Sequence, residues 1–298
     1  MTAAEPLPAA LRDAVDAQAR TENFPVALRV LPSAVRADLS ALYRYARLVD
    51  DIGDSGPGDS SSGDWAPGDS AASDRLARLD VVERDLRSLV TTGATRSTAL
   101  QPLVPLLARH ALPLDDFVAL IEANRQDQRV RRYATWSDLA AYCALSAAPV
   151  GRLVLGVFEA ATPERLADSD AVCTALQLIE HLQDLGEDLR DRDRIYLPAD
   201  TMAAHGVTEA DLLAPSASAS LRAAVAAECA RARTLLQQGR PLVASLHGWS
   251  RVAIAGYVAG GLATVDALEA AGYDTLSASR KARKPAILRT ALRLWRRP

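Results

Sequence analysis

Residues 177–198, QLIEHLQDLGEDLRDRDRIYLP, open as an apolar helical run and then gather acids. Glu180, Asp184 and Asp188 recur at intervals of four, and Glu187 stands three after Asp184. On an α-helix those offsets put carboxylates on neighbouring positions of one face. Like charges so placed destabilise a helix, by a few tenths of a kcal/mol per exposed pair and by more if buried. A chain that keeps them either points them at water or uses them to hold cations, and only the remainder of the sequence can choose.

The remainder is written in the helical period almost throughout. No run alternates polar and β-branched apolar residues as strands require, so the fold class is all-α. A first amphipathic helix is predicted over 9–20, interrupted by TENFP at 21–25. Ser33 is placed to cap a long helix ending near Asp51, with Val35, Leu39, Leu42, Tyr43, Ala46, Val49 and Ile52 as its apolar stripe. Residues 53–73 read as a flexible Gly/Ser/Asp-rich loop, whose Gly-Asp repeats lack EF-hand spacing. Helices follow over 74–90, stopped near Gly93, in a proline-rich region from Ser97, and over 115–128. Thr135 and Asp138 form a capping-box pair. In the apolar helix behind them, Pro149 and Gly151 predict a kink and a close neighbour. Pro163 opens the acidic helix, Thr208 and Asp211 mark another cap, and two long helices are predicted over 218–246 and 251–271.

With 298 residues, 49% of them hydrophobic, the chain can bury one large helical core, and a single domain over 1–298 is the prediction. A net charge of −3 gives no reason to expect nucleic acid. Cys143, Cys173 and Cys229 make no CxxC or Cys/His pair and read as small core residues suited to a reducing cytoplasm. The N-terminus has no basic head followed by an apolar run, and the longest uncharged apolar stretch, 252–265, is too short to span a bilayer. The expected location is the cytoplasm, with at most a peripheral hold on the inner membrane face. That hold would come from residues 279–298, which carry eight Arg or Lys and no acid. There Ile287, Leu288, Ala291, Leu292 and Trp295 line up opposite Arg289, Arg293 and Arg296. The pattern suits either a solvated terminal helix or an amphipathic helix on an anionic surface.

A second acidic helix makes the choice for the first. YRYARLVDDIGD carries Asp50 and Asp54 four apart, Asp51 beside them, and Arg47 one turn before Asp51. Both pairs sit at the C-terminal end of an apolar helix, where the partial negative charge of the helix disfavours aspartate. Facing one another, they would hold two or three hard divalent cations, Mg²⁺ or Mn²⁺, through oxygen alone. Mg²⁺ usually bridges carboxylates to substrate phosphates, and Arg47, Arg192, Arg194 and Tyr196 suit a diphosphate. A helical cavity with a charged mouth and an apolar interior would bind the Mg²⁺-diphosphate ester of a long hydrocarbon. A di-iron bundle needs Glu-x-x-His pairs, which are missing, and His181 reads as a packing residue. GYVAGG at 256–261 lies in a helical stretch, so no nicotinamide cofactor such as NADPH is expected.

YARLVDDIGD and LQDLGEDLRDRDRIYLP resemble the two aspartate-rich signatures of the squalene and phytoene synthase family. ENFPVALRVLP, RQDQRVRRYATWSDLAAYC and SAAPVGRLVLGVF are similar to its bacterial hopanoid-pathway branch. The resemblance covers about residues 21–273. It implies the all-α isoprenoid synthase fold with a central apolar cavity. It also implies hydroxysqualene synthase activity, turning presqualene diphosphate and water into hydroxysqualene and diphosphate, and association with other enzymes of that pathway. Head-to-head condensation of two farnesyl diphosphates, phytoene formation, aromatic prenylation and a non-catalytic assembly role are the alternatives. Carried over by resemblance, Asp50, Asp54, Asp184 and Asp188 bind metal and Arg47, Arg194 and Tyr196 meet diphosphate. Thr21 and Asn23 fall near it. Tyr43, Tyr142 and Gln177 line the cavity, and Val150 and Gly151 flank the prenyl chain. Glu180 stands where many relatives have Asn, which makes it a candidate further ligand. One additional residue between Asp188 and Arg194 leaves Arg192 and Arg194 both open as the phosphate contact.

Overall fold

The computed structural model describes residues 31–54, 69–277 and 282–296, with the side chains of 69–70 and 295–296 outside that set. The predicted helix 9–20, the break at 21–25, most of the 53–73 loop and the last two residues lie outside the described residues. Two compact units divide the chain, Met1–Arg129 and Val130–Pro298.

The first unit holds α1 (Ser33–Asp54), α2 (Asp69–Thr92), α3 (Leu103–Arg109) and α4 (Leu114–Asp127). Its core gathers Leu39, Leu42, Tyr45 and Val49 from α1, Leu79 and Leu86 from α2, and Phe117 and Ile121 from α4. Tyr45 meets Phe117 edge-on at 5.2 Å and donates its hydroxyl to the Phe117 carbonyl at 2.9 Å, which satisfies the one polar atom it buries. Arg125 joins α4 to α2 by pairing with Glu83 at 2.7 Å and with Asp80.

Three sequence boundaries move. Ser33 is the first helical residue and not the residue before the helix. α1 runs past Asp51 to Asp54, so Gly53 belongs to the helix and not to a loop. A methyl group at Gly53 would run into the Asn124 side chain of α4, so this glycine serves close helix packing. α2 starts at Asp69, because Ala71 is already buried one helical register ahead of Leu79.

The second unit is built on α7 (Pro163–Gln183), which contacts α5 (Trp136–Ser146), α6 (Ala148–Val157), α11 (Ala219–Gln238), α12 (Arg240–Ser245) and α13 (Gly248–Ala270). Between them lie α8 (Leu185–Arg192), α9 (Ala199–His205) and α10 (Glu209–Leu212), and α14 (Lys284–Arg296) packs along α13. Thr135 and Asp138 form the predicted capping box, and Thr162 caps α7 ahead of Pro163. The helix containing Pro149 breaks at Ala147, since proline lacks the N–H that would continue the ladder and crowds the preceding turn. Pro241 likewise divides the predicted 218–246 helix at Gly239. All three cysteines are free, two of them buried. Among the described residues there is no strand, only one parallel bridge between Arg132 and Ile195.

Two stretches, Trp136–Val157 and Gly248–Ala270, are long and apolar enough to cross a bilayer, which the uncharged run at 252–265 understates. Most of each is buried within the unit, 56% and 61%, as core helices are.

At Gly151 α6 lies close against α7: a side chain there would meet Ser169 and Cys173. Gly151→Val should therefore lose about 1–3 kcal/mol through overpacking, outweighing any gain in helix propensity. Urea unfolding should show a lower midpoint with an unchanged slope.

Candidate active site

In the first unit, Tyr43, Arg47, Asp50 and Asp54 follow intervals of four, three and four along α1 and so share one side of it. The opposite side carries the buried Leu42, Tyr45, Leu48 and Val49, which fixes the rotation of the helix. Arg47 pairs with Asp51 at 2.8 Å. Asn124 of α4, itself buried, donates to Asp50 Oδ1 at 3.0 Å and to the Leu120 carbonyl at 3.1 Å. Gln128 donates to the carbonyls of Gly53 and Asn124, both at 3.0 Å. That contact caps the last turn of α1 with a side chain from another helix.

Asp50 feels these surroundings directly. Burial raises its carboxyl to about 7. The Asn124 hydrogen bond and Arg47 act against the shift, and the charges of Asp54 and Asp127 reinforce it. Asp50 is nonetheless exposed by accessible surface, which tempers the shift; the surrounding protein and the two like charges set its direction. A carboxylate held this way gains from a cation.

In the second unit the acidic helix bends. α7 ends at Gln183, Asp184 has φ −107 and ψ 11, and α8 begins at Leu185. The backbone bonds Asp184 N to Glu180 O (3.1 Å) and Asp188 N to Asp184 O (2.8 Å) persist, so the four-residue relation survives the bend. One inference from the letters changes. Glu187 and Asp188 stand in the first turn of α8, where the helix dipole favours acids, and not at a C-terminal end. Asp188 is buried with Arg192 3.3 Å away, while Glu180 is exposed.

Behind α8 the chain reverses at Asp193, a left-handed residue with φ 52. Arg131 and Arg132 hold its carboxylate at 2.6 and 2.8 Å, and Arg132 also pairs with Glu209 at 2.7 Å. The reversal buries Arg194, Ile195, Tyr196 and Leu197 in succession. It lays 131–134 beside 195–200 through backbone bonds of 2.9–3.0 Å. Arg192 is thereby committed beside Asp188 and Arg194 is turned inward.

Tyr196 stacks on His181 with centroids 3.7 Å apart and rings 9° from parallel, and Tyr142 and Tyr133 close the cluster at 5.5 and 5.8 Å from Tyr196. Burial, helped by the charge of Arg194, pushes His181 down to about 3, so the ring is neutral. Gln177 lies 3.2 Å from its Nε2; with the ring neutral, the amide donates there and the ring proton sits on Nδ1. His181 is thus the packing residue its position beside Glu180 suggests. Val150 and Gly151 lie in α6 against α7. Thr21 and Asn23 lie outside the described residues.

Three residues escaped the sequence reading: Asn124, Asp127 and Gln128. Their three- and four-residue spacing on α4 was a usable signal, but only the packing of α4 on α1 gives it meaning. Among the described residues no three His, Cys, Asp or Glu side chains form a metal cage. The acids come in pairs, as suits a Mg²⁺ that completes its shell with water and phosphate. The donor set is hard oxygen throughout, and with Asp50 destabilised as a bare anion it fits a divalent cation.

The squalene/phytoene synthase family model matches residues 17–289. The chain belongs to the squalene/phytoene synthase family. A hydroxysqualene synthase from Zymomonas mobilis is 36% identical over 228 residues, 76% of this chain and 71% of that one. The squalene synthase HpnC from Alicyclobacillus acidocaldarius superimposes with a TM-score of 0.72 at 36% identity, covering 90% of this chain and 97% of that one. A dehydrosqualene synthase at 18% identity, with a TM-score of 0.77 over 96% of each chain, shares the fold. The all-α isoprenoid synthase fold and an enzyme of prenyl transfer are therefore what this squalene/phytoene synthase family member is. The family's chemistry on prenyl diphosphates depends on divalent metal.

A titration follows from Asp50. In metal-free protein its folded pKa lies above the ordinary carboxylate value, so the folded state holds the extra proton. That contribution to stability is full below the ordinary carboxylate value of 3.8 and is lost as pH rises from there through about 7. Urea midpoints in chelator should decline between about pH 4 and about pH 7 more steeply for the native chain than for Asp50→Asn.

Proposed function

We propose that this enzyme converts presqualene diphosphate and water to hydroxysqualene and diphosphate, with Mg²⁺ as cofactor. The observation that carries the reading is the 34–36% identity to three hydroxysqualene synthases, over 76–78% of this chain.

The residues supply a coherent chemistry. Asp50, Asp54, Asp184 and Asp188 would hold the metal, with Glu180 exposed beside the second pair as a further oxygen donor. Mg²⁺ held by these residues would supply charge to offset that developing on the departing diphosphate. Arg47 and the inward-turned Arg194 donate to phosphate oxygens, so the C–O bond of the ester breaks with its electron pair leaving on diphosphate. The resulting carbocation opens its cyclopropane ring beside apolar and aromatic walls. Tyr142, Tyr196 and neutral His181 offer π faces there without a nucleophile that would capture it. The neutrality of His181 matters, because an imidazolium would repel the cation. Water adds its oxygen to the cation and loses a proton to the released diphosphate or to solvent, which completes the alcohol. Tyr43, Gln177, Val150 and Gly151 would shape the site, and the family resemblance assigns Thr21 and Asn23 to the diphosphate. No nicotinamide enters this balance, since no hydride is transferred.

The test is product analysis with Mg²⁺, supplying farnesyl diphosphate and presqualene diphosphate separately. Hydroxysqualene from the second alone is the expected outcome. Products from farnesyl diphosphate alone would replace the reading with head-to-head condensation. Asp50→Ala and Asp184→Ala should each lower turnover by about 10³-fold or more with the helical spectrum unchanged.

A further inference from the structure

We infer that the outer face of α14 docks on an anionic phospholipid bilayer. Two independent features of this helix point the same way.

The first is how the helix divides its apolar residues. Leu294 is buried, and Ile287 and Ala291, seven and three residues before it, are half-buried where α14 packs along α13. Leu288 and Leu292, four apart, are left 62% and 48% exposed. Among the described residues six large apolar side chains are exposed, and the others are Val81, Val90, Leu213 and Trp249; only on α14 do two occupy successive turns. The stripe read from the sequence is therefore split: one edge holds the helix to the protein and the other is presented to the surroundings.

The second is charge. Residues 279–298 carry eight basic residues and no acid. The whole chain has 34 basic and 37 acidic residues, so the other 278 carry 26 and 37, a net −11. Arg289 and Arg293 are exposed directly beside the two leucines, and Arg283, Lys284 and Pro285 are exposed at the start of the helix. The helix dipole accounts for Arg293 near the C-terminal end but opposes Lys284 in the first turn. Arg289 and Arg293 repel one another at four residues' spacing, with no acid on the helix to offset them. A helix that only met water would gain from interspersed acids. Leucines in a ring of cations match a surface that is anionic outside and hydrocarbon inside, with the long basic side chains reaching back to the phosphates.

The inference also rests in part on the proposed reaction, whose uncharged product of long hydrocarbon chains is taken up by a bilayer and not by water. It can be tested without that reaction. The full-length protein is floated with vesicles of phosphatidylglycerol and phosphatidylcholine in equal parts, and separately with phosphatidylcholine alone. Binding is expected only to the first, and to weaken strongly at about 0.5 M salt, where surface charge is screened. The paired variant Leu288→Gln/Leu292→Gln and the paired variant Arg289→Gln/Arg293→Gln should each bind about tenfold less or weaker still. All four side chains face outward, so both should keep the native unfolding midpoint and turnover of presqualene diphosphate in detergent. Absence of vesicle binding, equal binding to neutral vesicles, or binding undiminished in both variants would overturn the inference. Loss of hydroxysqualene formation with vesicle binding intact would instead count against the proposed reaction.

Discussion

The arrangement of the first unit turns on a carboxylate that the helix carrying it does not favour. Asp50 stands in the last turn of α1, where the dipole opposes it, and it is crowded by protein with Asp54 and Asp127 as like charges. Much of the first unit works to keep it in place. The apolar side of α1 fixes the helix rotation, and Gly53 lets α4 approach. Asn124 then binds the carboxylate while Gln128 caps the helix end. Such a carboxylate is costly as a bare anion, and in the proposed function a bound cation would relieve it.

The second unit reaches a related end by different means. Its acidic helix bends at Asp184, so Asp188 is carried by the favourable end of α8. Asp193 then turns the chain in the left-handed region, a conformation tolerable for aspartate and secured by two arginines. That single reversal distinguishes Arg192 from Arg194 and brings Tyr196 onto His181. An aromatic, uncharged wall thus lies one turn of chain away from an acidic one.

Much of this was legible in the letters. Helical spacing, the Thr135 cap, the Pro163 helix start and the Pro149 break are local events, set by residues within a few positions of one another. Paired aspartates at fixed spacing were equally local. What stayed hidden depends on residues distant in sequence. Gly53 reads as loop until Asn124 is seen against it, and Asn124 itself has no signature apart from α1. The bend at Asp184 could not be inferred, because its hydrogen-bond ladder continues and only the torsions depart. The different settings of Arg192, paired with Asp188, and Arg194, buried, depend on the Asp193 turn, which draws its support from Arg131 and Arg132, some sixty residues earlier.

The proposed function requires that the acids of α1 and those flanking the α7–α8 bend serve one metal–diphosphate. The most direct measurement is calorimetric titration of the full chain with inorganic diphosphate, with and without Mg²⁺, across Asp50→Asn, Asp184→Asn and the double variant. Binding should require Mg²⁺, and each single variant should weaken it by about tenfold or more. The double variant should lose much less than the two losses combined, because either change already disables the shared site. Full Mg²⁺-dependent binding in a single variant, or losses that simply add, would contradict the account.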